Sequence, residues 1–304
     1  VSIPTLSPTN RKAADKLTEF LAARPVAFIG AGMTQPFYPG WDKLLEGLAT
    51  HLGVAYDPEM DPLAQAEKFF TGSKDAYKDK LVEIFGTVPG DCRLGLKEMV
   101  KLTFRSFITT NYDYSIYRAY QELGPPDPIC HLYPDIEPAD CDIDRRIFFL
   151  HGAVKDNQIA DLNNFVLHRT AYNRAYFREV GAGPGLLSSF FYNVFRWYDV
   201  LFAGFGLRKD EPLREALGIA HQVASNANLP ARRRLMLRPT PIPEDSITSF
   251  RLQYGIEVIG YDPLDDRHTG LDHIFAKITE ERRFAPPVFT STLGSIMPPV
   301  KSLE

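Results

Sequence analysis

Five residue groups in this chain could do chemistry, because each stands directly after a short apolar run. Gly30-Ala31-Gly32 follows Val26–Ile29. Glycines let a backbone approach a pyrophosphate, whose oxygens then take exposed amides; a tight strand-to-loop turn would use the same residues. The third glycine of a dinucleotide fingerprint is replaced by Gln35, and no G-x-x-x-x-G-K-[ST] loop occurs. Thr109-Thr110-Asn111-Tyr112-Asp113 closes a second run. Asn111 offers an amide donor and a carbonyl acceptor, suited to ribose hydroxyls and a positioned water. Asp113 could bond the same ribose, or cap the helix expected over Tyr114–Leu123. His151 ends Ile147–Leu150 and precedes Gly152, so it could be a general base near neutral pH or a satisfied core histidine. Gly204-Phe205-Gly206 and Tyr261-Asp262 follow two further runs.

These groups need elements that gather them. Val26–Ile29, Phe104–Ile108, Ile147–Leu150, Val200–Ala203, Leu235–Leu237 and Ile256–Ile259 read as buried strands. Helical periodicities lie between them, including stripes at Ala13–Leu21, Leu44–Leu52, Leu63–Phe70, Tyr77–Phe85, Tyr172–Phe177, Leu186–Trp197, Glu211–Ala224 and Thr269–Glu281. Asp42 is the expected cap of the second helix and Asp61, before Pro62, of the third. The alternation predicts an α/β fold, a doubly wound, Rossmann-like parallel sheet with a helical insertion over one edge. In such sheets ligands bind outside the carboxyl ends of the strands, so spacing alone puts the polar groups on one edge.

The expected organisation is one domain over 1–285, a helical insertion at about 54–103, a second helical segment at about 165–198, and an extended tail over 286–304. Gly124–Asp144, rich in prolines and acids, reads as a long surface loop.

Composition narrows the function classes. The 304 residues carry 34 basic and 38 acidic side chains, a net charge of −4, which makes no global case for direct nucleic-acid binding. No apolar run reaches the ~20 residues of a membrane span, and the first fifteen residues hold no signal-peptide core, so a soluble cytoplasmic protein is expected. Three cysteines, Cys92, Cys130 and Cys141, cannot make a four-cysteine zinc site. The stretch Asp262–His273 holds acids and histidines, but its spacing matches no common ligand set and reads as a helix start. Arg232-Arg233-Arg234 reads as a solvated edge, and the aromatic stripe Phe190–Trp197 as core or an oligomer band.

The order of these motifs resembles the sirtuin-like domain: G-A-G followed by P-x-x-x-G-W, then T-T-N-Y-D, H-G, a tyrosine-bearing helix, G-F-G-x-x-x-D and a final I-E-V-I-x-Y. More narrowly, it is similar to the bacterial sirtuin-like domains of antiphage defence, over roughly Val26–Ile278. The resemblance implies NAD⁺ as substrate. Gly30, Ala31, Gly32 and Thr34 would line its pyrophosphate and ribose, and Asn111 and Asp113 would contact the nicotinamide ribose. His151 would be the catalytic histidine beside Asn111. Gly204, Gly206 and Asp210 would approach the adenosine half, with the Tyr261 loop near adenine.

Two departures matter: Gly206 stands where sirtuins usually place serine or threonine, and the zinc module of the deacylating branch is missing. The expected activity is therefore NAD⁺ hydrolysis to ADP-ribose and nicotinamide, with no zinc, by an abortive-infection effector. Protein ADP-ribosyl transfer, deacylation and non-catalytic NAD or ADP-ribose sensing are the alternatives. The resemblance also implies control by self-assembly into a homo-oligomer or by a defence-system partner such as a HerA-type ATPase.

Overall fold

A computed structural model describes residues 5–86, 92–177, 185–206, 212–227 and 232–283. Among them seven strands form one all-parallel sheet: β1 (Val26–Ile29), β2 (Ser106–Thr109), β3 (Ile129–Leu132), β4 (Arg146–Phe149), β5 (Val200–Ala203), β6 (Arg234–Pro239) and β7 (Ile256–Tyr261). Their spatial order is β3-β4-β2-β1-β5-β6-β7. The chain builds one half outward from β1 and then returns to its other side with β5. The switch point between β1 and β5 opens a crevice at the carboxyl edge.

Eleven helices accompany the strands among the described residues: α1 (Pro8–Phe20), α2 (Trp41–Leu52), α3 (Pro62–Gly72), α4 (Lys74–Gly86), α5 (Leu94–Met99), α6 (Ser115–Leu123), α7 (Arg169–Tyr176), α8 (Leu186–Trp197), α9 (Pro212–Asn226), α10 (Glu244–Tyr254) and α11 (Thr269–Arg283). Strand side chains alternate faces, so each strand feeds two cores. Ala27, Ile29, Phe107, Ile147, Phe149 and Leu201 pack with α1, α5, α6 and α11. Val26, Phe28, Ile108, Phe148, Val200 and Phe202 pack with α7, α8, α9 and α10. The aromatic stripe from Phe190 to Phe195 is core; Trp197 is exposed.

A third core is separate from both sheet faces. Leu44, Leu48, Phe69, Phe70, Tyr77, Leu81 and Phe85 of α2, α3 and α4 close over Tyr112 and Phe165. This three-helix roof includes α2, whereas α5 packs on α6 and α11 against the sheet. The helical segment that covers the carboxyl edge thus runs over 41–86 rather than over the expected 54–103.

Several local expectations change. Gly124–Asp144 is not all loop: it contains β3 and a 3-10 turn, Pro138–Asp142. The strand is paired on one side only, by β4, and Ile129 is half exposed, so no apolar run marks it. Helix α2 begins from Gly40, with Asp42 in its first turn, where a carboxylate favours the helix dipole without capping it. Asp61 does cap α3, its Oδ1 accepting the Ala64 amide at 2.8 Å. In Asp262–His273 the acids serve turns and an ion pair: Asp265 accepts the Arg267 and Thr269 amides, and Asp272 pairs with Arg93. The Glu211 end of the expected Glu211–Ala224 stripe and the 286–304 tail lie outside the described residues.

Candidate active site

The carboxyl edge carries a cavity of about 490 Å³, within the range of small-molecule sites. Its floor comes from the loops after β1, β2, β4 and β5, and its roof from Trp41, Leu44, Leu63 and Phe85. Ala31, Gly32, Thr34, Asn111, Asp113, His151, Gly204 and Gly206 all line it. Gly30 sits just behind the lining. Tyr261 is not brought there: it is buried beneath the sheet, with its hydroxyl 2.8 Å from His268 Nδ1. Strand β7 is the far edge of the sheet, beyond β5 and β6, and Tyr261 is not among the residues that line the cavity. Asp210 lies outside the described residues.

The glycines serve a backbone-on-backbone contact. Gly32 N–H donates to Gly204 O at 2.9 Å and Gly30 N–H to Ala203 O at 3.0 Å, locking the β1 loop to the β5 loop. Gly204 has φ +65°, and a Cβ there would collide with the Met33 amide and stand 2.9 Å from Gly32 C. Gly204→Ala should therefore cost about 2–3 kcal/mol in chemical denaturation, combining left-handed strain with a backbone clash. Stability within 0.5 kcal/mol of the parent would show that the loops separate freely.

The β1 loop turns through a 3-10 helix, Ala31–Met33, which ends at Thr34. Thr34 Oγ1 donates to Ala31 O at 3.2 Å and accepts from Asn111 Nδ2 at 3.3 Å. Thr109, at the end of β2, donates to Ile29 O at 2.8 Å and accepts the Asn111 amide at 3.0 Å. Asn111 is thereby held from both its backbone and its side chain, with the amide nitrogen toward Thr34. Asp113 is buried and accepts the Ser115 amide at 3.1 Å, so it supports the start of α6 while also lining the cavity. Burial raises its carboxyl above the usual range, and hydrogen bonds from Ser115 and Thr34 oppose that rise.

His151 is buried, and desolvation lowers its pKa to about 3. The imidazole expected to titrate near neutrality is instead neutral throughout the physiological range. Its Nε2 lies 2.7 Å from the Tyr176 hydroxyl, and its ring meets Tyr172 and Tyr176 edge-on. Tyr112, which stacks on Phe165 and donates to Val166 O at 2.8 Å, completes this aromatic wall with Tyr38 and Phe85. The sequence reading names a helical insertion over one edge and a tyrosine-bearing helix, but assigns no residue of the roof and neither Tyr172 nor Tyr176 to the site.

The sign of the His151 effect on stability follows from its lowered pKa. Between about pH 6.5 and 3 the unfolded chain binds a proton that the folded chain refuses, so stability falls as pH falls. From pH 7 to 5 the parent should lose about 2 kcal/mol more than His151→Asn. Equal losses in urea titrations at the two pH values would remove that account of the imidazole.

Arg93 braces the floor from behind. Its guanidinium donates to Gly32 O at 2.6 Å, His268 O at 2.7 Å, Arg267 O at 2.9 Å and Asp272 Oδ1 at 2.8 Å. Asp272 is buried, which raises its carboxyl, while Arg93 draws it back. Among the described residues no three His, Cys, Asp or Glu side chains are grouped to hold a metal ion, and no helix is long and apolar enough to cross a membrane.

Curated relatives point the same way as the motif order. NAD(+) hydrolase ThsA of Enterococcus faecium is 25% identical over 186 residues, 57% of this chain and 37% of that protein. NAD(+) hydrolase ThsA of Bacillus cereus (strain MSX-D12) is 23% identical over 145 residues, 46% of this chain and 30% of that one. The matches thus span about a third of each relative's length. A solved Sir2 enzyme aligns over 91% of this chain and 100% of its own, at 16% identity and a TM-score of 0.46. A Sir2 homolog solved with NAD aligns over 88% and 94%, at 13% identity and 0.43. The family model for the SIR2-like domain matches residues 105–259, which run from the start of β2 almost to the end of β7 and carry Asn111, Asp113, His151, Gly204 and Gly206. That segment is just over half of the chain, which therefore belongs to the SIR2-like domain family.

Proposed function

We propose that this chain is an NAD⁺ hydrolase that yields ADP-ribose and nicotinamide. The observation that carries the reading is the cavity at the β1/β5 switch point, where Gly32, Thr34, Asn111, Asp113, His151, Gly204 and Gly206 meet. The names of the two curated relatives support it. The glycine-locked loops, the polar floor and the aromatic wall suit a dinucleotide, with Asn111 and Asp113 addressing the nicotinamide ribose.

The chemistry asks little of the protein as an acid. When the bond from C1′ to the nicotinamide nitrogen breaks, its electron pair neutralises the departing ring. Water then adds its oxygen to C1′ and gives up a proton. The site must stabilise the intervening ribosyl cation and orient that water. Asp61 in the lining is paired with Arg169, so the buried carboxyl of Asp113 is the group there that favours a developing positive charge. Asn111, fixed by Thr34 and Thr109, orients water and ribose. His151 accepts a proton from a ribose hydroxyl or the water; a weak base suffices, because hydroxyls on a ribosyl cation are unusually acidic.

By the same resemblance the chain acts in a bacterial antiphage abortive-infection system, silent until a partner protein or self-assembly triggers it. The test is incubation of the purified chain, alone and with the protein encoded beside it, with NAD⁺ and chromatography of the products. Equimolar ADP-ribose and nicotinamide are expected. ADP-ribose recovered on a protein, or thermal stabilisation by NAD⁺ without nicotinamide release in either arm, would replace hydrolysis with transfer or sensing.

A further inference from the structure

We propose that Tyr176 is the positioning residue for His151, holding the Nε2–H tautomer so that Nδ1 is the nitrogen presented to the cavity. The inference rests on the hydrolase reading for its consequence, but its geometry stands apart. His151 and Tyr172 line the cavity, whereas Tyr176 does not; it lies behind the imidazole, 2% exposed. Its hydroxyl is 2.7 Å from Nε2, so that nitrogen is engaged on the side away from the lining. An imidazole has two ring nitrogens, and the partner of one decides what the other can do. The hydroxyl can donate or accept; in the proposed arrangement it accepts from Nε2–H, which leaves the Nδ1 lone pair for a substrate proton.

The surroundings leave the phenol little freedom to swing away. Its ring stacks on Tyr172 at 4.4 Å between centroids and 20° between planes, and on Phe191 at 6.0 Å and 26°. Helix α7 is anchored at its start, where Glu67 of α3 accepts the Thr170 amide at 2.8 Å and lies 2.7 Å from His168 Nδ1. The roof helix, the tyrosine helix and the histidine are therefore connected through hydrogen-bonded contacts.

A phenol in this position differs chemically from a carboxylate. A carboxylate would hold the imidazole toward its cation, whereas a neutral hydroxyl that accepts from Nε2–H orients the ring without adding charge. In the resulting step the ribose O–H bond breaks and an Nδ1–H bond forms. The positive charge appears on the imidazolium, and Nε2–H remains bonded to Tyr176.

Imidazole 15N chemical shifts, assigned to His151 by their loss in His151→Asn, report which nitrogen carries the proton. The parent should show the Nε2–H form. Tyr176→Phe, which keeps the ring and removes the oxygen, should give a mixture of tautomers and lower kcat by about 10- to 100-fold, with KM for NAD⁺ within about twofold. An Nδ1–H form in the parent would overturn the proposal, as would unchanged tautomer and kcat in the variant. The parent spectrum decides even if the variant does not fold. It also decides if the parent releases no nicotinamide either alone or with the protein encoded beside it, a result that would count against the hydrolase reading alone.

Discussion

Alanine at Asn111 or at His151 is expected to leave a folded protein that has lost most nicotinamide release from NAD⁺. Each side chain sits in the cavity floor with partners that position it: Thr34 and Thr109 for Asn111, Tyr176 for His151. Removing a positioned proton acceptor costs about 10²- to 10⁴-fold in rate, and losing the group that orients ribose and water should cost a similar factor. The two effects should not multiply in the double variant, because the roles proposed for both residues act on the same ribosyl cation. Binding of NAD⁺ should survive better than turnover, since the glycine-locked loops and the aromatic wall are untouched. Initial rates and NAD⁺ thermal shifts on the same preparations separate the two. Wild-type turnover in both single variants would remove the site from the mechanism.

Arg93→Ala should produce the largest loss of stability, about 3–5 kcal/mol. The guanidinium is buried, and its removal strands the Asp272 carboxylate and the carbonyls of Gly32, Arg267 and His268 without their donor. Asp272 would keep only the Gly95 amide, at 3.0 Å, among the partners described here. A buried carboxylate without its cation is the costly outcome, more so than loss of the pair as a whole. Replacing both residues together, as Arg93→Met with Asp272→Leu, should therefore recover part of the loss. Because Gly32 O is one of the acceptors, the variant should also weaken NAD⁺ binding at temperatures where it remains folded. Denaturant titration checks the first effect and ligand titration the second. A loss below 1 kcal/mol would mean that solvent replaces the guanidinium.

Much of this was readable beforehand, for reasons that differ by residue. Val26–Ile29 and Val200–Ala203 are strands as expected because both are buried on both faces, so each residue must be apolar. β3 was missed because an edge strand carries no such run, and α10 because its pattern is mostly polar with one buried residue, Phe250. Asn111, Asp113 and His151 could be picked out because each is a polar residue placed where a buried strand ends. Tyr261 satisfied the same rule and lies elsewhere.

The sequence by itself determined the strand runs, the alternation that makes the sheet parallel, and the gathering of polar groups at its carboxyl edge. Those follow from local periodicity and from the single direction shared by all strands. Strand order was decided only in three dimensions, and it placed β1 beside β5 and Tyr261 on the far edge. Tertiary packing also chose the partners: Tyr176 behind His151 across 25 residues, Arg93 behind Gly32 across 61, and Asp272 against Arg93 across 179. Such contacts leave no periodic trace in a chain. The low pKa of His151 likewise depends on how much water the folded neighbours exclude, and the residue alone does not set that.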